Sequence, residues 1–201
     1  MEVISRGAEA VLYRNGDFLI KKRVPKGYRI KEIDEKIRRL RTRSEAKLLQ
    51  KLDFVPTVFS FDDTTMEITM EFIDGDVLRD VLDSFEGKER KDVCFTIGKK
   101  ISQMHDMDII HGDLTTSNIL LKCGMLYFID FGLGFVSQRI EDKATDLRLL
   151  RQALESKHYR VFDQCYRFIL EGYKKSRHSS EVLSWLEHKV EKRGRYKRKQ
   201  H

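Results

Sequence analysis

The sequence predicts an α+β protein in two lobes: a β-rich N-terminal lobe with one or two helices, and a helical C-terminal lobe. Three observations carry this. Up to Phe72, outside one stretch of helical spacing at 31–52, the apolar residues largely alternate in short runs separated by turn signals, and after Asp74-Gly75 they recur every three and four residues. The alternation returns only briefly, around Gly124, directly after a polar loop, His111–Asn118. No internal repeat and no low-complexity linker divides the chain, whose 201 residues suit one large domain or two small lobes sharing a cleft. The expected boundaries are residues 1–73 for the N-lobe, 74–191 for the helical lobe with its loops, and 192–201 for a basic tail.

The elements follow in order. Ala10–Arg14 and Asp17–Lys21 are strands flanking Asn15-Gly16, a strong hairpin signal. Pro25–Arg29 breaks the pattern as a loop. Ile33, Ile37, Leu40, Ala46, Leu48, Leu49 and Leu52 have helical spacing, which predicts helix over 31–52 in two segments around Thr42-Arg43. Val58–Phe61 and Met66–Phe72 form a second strand pair across Asp62-Asp63-Thr64, and a short hinge follows at 71–75. Val93, Ile97, Lys100, Ile101 and Met104 mark a helix ending near His105. Two short strands, Ile119–Lys122 and Leu126–Ile129, precede helices from about Asp146 to Arg193.

Composition excludes several classes. A hydrophobic content of 40% supports a packed core, and 35% charged residues gives an ionic surface with net charge +7, much of it at the C-terminus. Cys94, Cys123 and Cys165 fit neither a disulfide framework nor a C-x-x-C metal pattern, and read as buried reduced thiols. The N-terminus lacks the apolar stretch of a signal peptide and no apolar run is long enough for a membrane span, so the expected location is cytoplasmic, with no membrane partner.

The chemistry is concentrated in two motifs. His111-Gly112-Asp113-Leu114-Thr115-Thr116-Ser117-Asn118 reads as H-x-D-x-x-x-x-N, and Asp130-Phe131-Gly132 as D-F-G. Together these are the catalytic-loop and metal-loop signatures of the protein-kinase fold. Phosphoryl transfer from ATP needs a carboxylate facing the attacking hydroxyl, and oxygen ligands holding magnesium on the phosphates. Asp113 is the candidate base; Asn118 and Asp130 are the candidate ligands for Mg2+ or Mn2+. Lys21, in Leu19-Ile20-Lys21, is the expected phosphate lysine, because alternation puts Leu19 and Lys21 on one face and Lys22 on the other. An exposed strand lysine is the alternative. Glu45 is its expected partner, preferred to Glu32 and Glu35 because it lies mid-helix beside an apolar face.

Gly7-Ala8-Glu9-Ala10 occupies the place of the glycine-rich loop without being G-x-G-x-x-G, and Ser5, Arg6, Gly7 and Ala8 are assigned to ATP contact. Met70, Glu71 and Ile73, at the end of the last N-lobe strand, are assigned to adenine through the backbone. Asp146 opens a predicted helix. It either supports the catalytic loop by accepting backbone N–H groups or is an ordinary N-cap. Lys192, Arg193, Arg195, Lys197, Arg198 and Lys199 form a basic block suited to nucleic-acid phosphates, or a solvated tail.

These residues resemble the small atypical kinase subunit of the KEOPS complex, the p53-related protein kinase family. The marks are Gly-Ala-Glu-Ala at 7–10, Pro-Lys-Gly-Tyr-Arg at 25–29, Arg43-Ser44-Glu45-Ala46, His111–Asn118 in full, Glu141–Ala144 with Asp146-Leu147, and the basic tail. The resemblance covers Ser5 to the C-terminus. It implies a minimal bilobal protein-kinase-like fold, dependence on ATP and Mg2+, autophosphorylation on serine or threonine, and ATPase activity. It also implies a complex that makes threonylcarbamoyl-adenosine in tRNA. The partners would be an ASKHA-fold transferase subunit, a small regulator on the N-lobe, and tRNA through the tail.

Departures from ordinary protein kinases qualify the chemistry. Gly112 replaces the arginine of H-R-D, and Thr115 replaces a lysine that neutralises the transferred phosphate. Losing that cation costs on the order of 3 kcal/mol in the transition state. No A-P-E follows, so water is a more natural acceptor than a peptide hydroxyl. Two other readings compete. Aminoglycoside and choline kinases share H-x-D-x-x-x-x-N, but normally carry a helical substrate-binding insertion that this length hardly accommodates. A pseudokinase scaffold with an RNA-binding tail is opposed by the intact Lys21, Asp113, Asn118 and Asp130.

Overall fold

The alternating N-terminal segment forms an antiparallel sheet. Its strands are β1 (Glu2–Arg6), β2 (Ala10–Asn15), β3 (Phe18–Arg23), β4 (Val58–Asp62) and β5 (Glu67–Glu71), in spatial order β1-β2-β3-β5-β4. A two-residue loop, Gly16-Asp17, joins β2 to β3, with Asn15 opposite Phe18. In the computed structural model, which describes residues 1–187, Lys21 stands between Leu12 and Ile68 on the two neighbouring strands. The pleat then buries Lys21 and Arg23 and turns Lys22 outward, where it pairs with Glu67 at 2.7 Å.

Helix α1 (Lys31–Leu49) packs on β4 and β5. It is one continuous helix, not the two segments expected around Thr42-Arg43. No Gly or Pro interrupts it, and Thr42 is buried at a helix position where its modest propensity cost is tolerable. The expected apolar face is also different. Ile33 and Leu40 are exposed, whereas Asp34, Thr42, Glu45, Ala46, Leu48 and Leu49 are buried. The first half of α1 is held through Asp34, whose Oδ1 accepts Lys26 N–H at 3.3 Å and lies 3.7 Å from Arg29 Nη1, and only its second half is held by apolar packing.

After the short β6 (Asp76–Val77) and α2 (Leu78–Val81) come the 3-10 turn Leu82–Ser84, α3 (Gly87–Asp106) and β7 (Ile109–Ile110). The 3-10 turn Thr116–Asn118 leads into the hairpin β8 (Ile119–Lys122) and β9 (Met125–Phe128). β10 (Phe135–Val136), α4 (Ile140–Lys157) and α5 (Phe162–Tyr173) follow, and residues 179–187 are helical. The basic block 192–199 lies outside the described residues. Cys94 and Cys165 are buried as expected, but Cys123 is exposed at the hairpin tip.

The chain divides into two compact units. The first comprises Met1–Asp76 with Asn118–Phe135, the second Val77–Ser117 with the described residues from Val136 onward. The 118–135 hairpin, expected in the helical lobe, therefore clusters with the sheet. Phe128 N–H donates to Phe54 O at 2.8 Å, and the two rings meet edge to face at 5.4 Å.

In the second unit, α3 packs on α5 at a spacing that only glycine permits. A Cβ on Gly98 would lie 1.9 Å from Ile169 O, and one on Gly172 would lie 2.1 Å from Phe95 O. Both obstacles are helix backbone and cannot rotate away. Gly172→Ala should therefore force the helices apart at a cost of about 1–3 kcal/mol or more. A urea unfolding curve that matches wild type would contradict this packing.

Candidate active site

In the first unit β3, α1 and the segment after β9 converge on one ionic cluster. Lys21 Nζ lies 2.6 Å from Glu45 Oε1 and 2.7 Å from Asp130 Oδ1. Arg23 Nη2 takes the other Glu45 oxygen at 2.5 Å. Glu45 and Arg23 are almost fully buried, while the Asp130 side chain is 51% exposed. Burial pulls the Lys21 pKa down, but the Glu45 and Asp130 carboxylates outweigh it and the ammonium is stabilised. Desolvation likewise pushes Asp130 up, yet Lys21 and the Gly132 N–H hold its carboxyl below the usual range. Both groups stay charged at neutral pH.

The β8–β9 hairpin sets the place of the two candidate metal ligands. Ile119 pairs with Phe128, so Asn118 before β8 and Asp130 after β9 reach the same end of the ribbon. Ile129 N–H donates to Asn118 O at 3.0 Å and fixes that end. Asp130 sits in the left-handed region at φ +63°, which Asp tolerates better than most residues. Lys21 holds one of its oxygens. An amide oxygen beside a carboxylate is a donor set that suits a hard divalent cation.

Arg23 was missed by the sequence reading, although alternation places residues 19, 21 and 23 on one face. Its guanidinium bonds Glu45 and lies against Gly132, where a Cβ would be 2.9 Å from Nη2. It is thus a second cation on the Lys21 carboxylate and a contact to the metal-loop glycine. The glycine-poor β1–β2 turn also has support the sequence did not reveal. Gly7 N–H donates to Ala10 O at 2.9 Å, and Lys26 Nζ donates to Ala8 O. Arg41 holds Glu9 at 3.0 Å, with Lys26 and Arg29 at 3.7 and 3.9 Å. Ser5 and Arg6 end β1, exposed beside this turn. Met70 and Ile73 are buried at the end of β5; the Glu71 amide donates to Thr57 O and that of Phe72 to Asp17 O, both at 2.8 Å.

In the second unit Asp146 holds the first residues of the candidate catalytic loop. This residue is fully buried in the body of α4, so the N-cap alternative falls: the N-cap is Arg139. Its Oδ2 accepts His111 N–H at 2.7 Å and Oδ1 accepts Gly112 N–H at 2.9 Å. His105 Nε2 lies 3.3 Å from Oδ2, and His105 Nδ1 lies 2.9 Å from the Tyr173 hydroxyl. A carboxylate only accepts, so Nε2 carries a proton, and in the neutral ring Nδ1 accepts from Tyr173. Burial pushes the Tyr173 hydroxyl up, which keeps it a donor. Asp113, between Gly112 and Leu114, is exposed, and its N–H donates to His111 Nδ1 at 3.3 Å.

Comparison with known proteins bears on the family and the fold. Residues 6–160 match the protein kinase domain family. The KEOPS complex subunit Bud32 of Pyrococcus abyssi is 40% identical, over 98% of this chain and 97% of its own length. A probable bifunctional tRNA threonylcarbamoyladenosine biosynthesis protein of Methanococcus vannielii is 44% identical over 96% of the chain, which spans only 36% of that longer protein. Among solved structures, the Rio2 kinase of Chaetomium thermophilum, crystallised as an ADP/Mg2+-phosphoaspartate complex, matches 96% of this chain and 72% of its own with a TM-score of 0.62. At 14% identity that likeness concerns the fold: a β-sheet N-lobe and a helical C-lobe of protein-kinase type. Among the described residues no helix is long and apolar enough to cross a membrane. The chain belongs to the protein kinase family and, within it, to the family of the KEOPS complex subunit Bud32.

Proposed function

We propose that this chain is the ATP-dependent kinase subunit of a KEOPS complex, an atypical Ser/Thr kinase with ATPase activity that supports threonylcarbamoyl-adenosine modification of tRNA. The observation that carries the reading is Lys21 bridging Glu45 and Asp130 at 2.6 and 2.7 Å. An ammonium held by a buried carboxylate is preorganised for the phosphates of ATP. Asn118 and Asp130 would hold Mg2+ or Mn2+, which neutralises charge on the phosphates when bound. Ser5, Arg6, Gly7 and Ala8 would cover the phosphates. Met70, Glu71 and Ile73 would receive the adenine, and Asp113 would orient the acceptor, whether a hydroxyl or water. Asp146 supports the loop that carries it. The partners in this reading are the ASKHA-fold transferase subunit, a small regulator on the N-lobe, and tRNA bound by the tail from Lys192 to Lys199, all in the cytoplasm.

Phosphate release from radiolabelled ATP, by the chain alone and with the transferase subunit, tests the proposal. ATP- and Mg2+-dependent release, increased by the partner, is the expected result. No release under either condition would leave a pseudokinase scaffold. Transfer of label to a small alcohol or aminoglycoside in place of water or protein would favour the small-molecule phosphotransferases.

A further inference from the structure

Asp146 holds the start of the catalytic loop; a different set of residues holds its end. Thr116, two residues before Asn118, is 1% exposed, and its Oγ1 lies 3.1 Å from Nε2 of His158. His158 is also 1% exposed, and its Nδ1 lies 2.7 Å from Asp83 Oδ1. His158 is the residue that ends α4, where its N–H donates to Leu154 O at 2.8 Å. Asp83 belongs to the 3-10 turn Leu82–Ser84, and its carbonyl accepts from Arg90 of α3 at 3.3 Å. None of the three was singled out by the sequence as a partner of the others, and all lie in the second unit.

The direction of the bonds follows from the chemistry. The Asp83 carboxylate accepts, so Nδ1 carries a proton. In the neutral ring Nε2 then accepts, and the Thr116 hydroxyl donates to it. The loop is thereby gripped by a hydrogen bond from the end of α4. α4 supplies both anchors: Asp146 on the amides of His111 and Gly112, and His158 on the hydroxyl of Thr116. Asp113 lies between them in the chain. A catalytic group must be held closely, since a displacement of about 1 Å can cost a hundredfold in rate.

We propose that Asp83, His158 and Thr116 form a relay that positions the catalytic loop for phosphoryl transfer, with His158 as its positioning residue. This rests on the kinase reading above. The relay acts on the loop that carries Asp113, whereas the nucleotide residues lie in the other unit. Its loss therefore appears in kcat and leaves the KM for ATP nearly unchanged.

The test compares Thr116→Val, which keeps the shape and removes the hydroxyl, with Thr116→Ser, which keeps the hydroxyl. Asp83→Ala removes the outer carboxylate without hollowing the core. Thr116→Val should lower kcat roughly ten- to a hundredfold with the KM for ATP within about twofold. Thr116→Ser should recover most of the rate, and Asp83→Ala should fall between them. Amide hydrogen exchange over residues 111–117 should speed up in Thr116→Val and Asp83→Ala, but not in Thr116→Ser. Unchanged kcat and exchange in both Thr116→Val and Asp83→Ala would overturn the relay. So would a fall in kcat that merely follows the unfolded fraction, or one that Thr116→Ser shares. If the wild-type chain turns over no ATP in any condition, the kinase reading fails by itself. The exchange data then decide whether the relay holds the loop.

Discussion

Asp130→Ala should remove ATP turnover in a chain that stays folded. The loss expected is about a thousandfold or more, because the substitution removes both a proposed cation ligand and one of the two carboxylates that hold Lys21. Folding should survive. The Asp130 side chain is half exposed, and Lys21 keeps Glu45 at 2.6 Å as its partner. Asp113→Ala should give a comparable loss of turnover with a different signature. Its proposed role addresses the acceptor, so nucleotide affinity should persist, whereas Asp130→Ala should weaken affinity for the Mg2+–ATP pair. Steady-state phosphate release, nucleotide titration and a thermal melt on each variant separate these outcomes. A folded Asp130→Ala protein with near-native turnover would refute the assignment of this site.

Part of the candidate site's geometry was legible in the sequence because local rules determine it. Strand alternation sufficed to choose Lys21 over Lys22, and the pleat does bury Lys21 beside Glu45. The order of Asn118, two short strands and Asp130 already implies a hairpin that returns the second residue to the first. What the sequence hid was long-range. Asp146 reads from the sequence as the opening of a helix, yet the helix begins six residues earlier at Ile140. Its burial depends on the catalytic loop folding over it. The face of α1 was misread for a similar reason. Spacing marks Ile33 and Leu40 as a core stripe, but burial there is decided by Asp34 with its arginine partners. The Asp83–His158 contact spans 75 positions, and no spacing rule links them.

The second large effect concerns stability. Glu45 is shared by two buried cations, Lys21 and Arg23, and is itself 1% exposed. Glu45→Ala leaves both without it. Lys21 retains Asp130, but Arg23 is 3% exposed, and its Nε has no hydrogen-bond partner among the described residues. Removing one member of a buried ion pair typically costs about 3–5 kcal/mol, because the remaining charge is left desolvated. The double variant Arg23→Met, Glu45→Leu removes the opposed charges together and fills the space with apolar groups of similar size. Such replacements are often neutral or stabilising, so it should recover most of the loss. Turnover should not recover with it, since Lys21 then keeps only the exposed Asp130 and loses the α1 carboxylate that fixes its position. Urea unfolding and ATP turnover on wild type, Glu45→Ala and the double variant decide the matter. If stability and turnover recover together in the double variant, Glu45 serves the fold alone and the Lys21–Glu45 pair has no part in the chemistry. If Glu45→Ala unfolds at the wild-type urea concentration, the buried cluster does not bear on stability as its geometry requires.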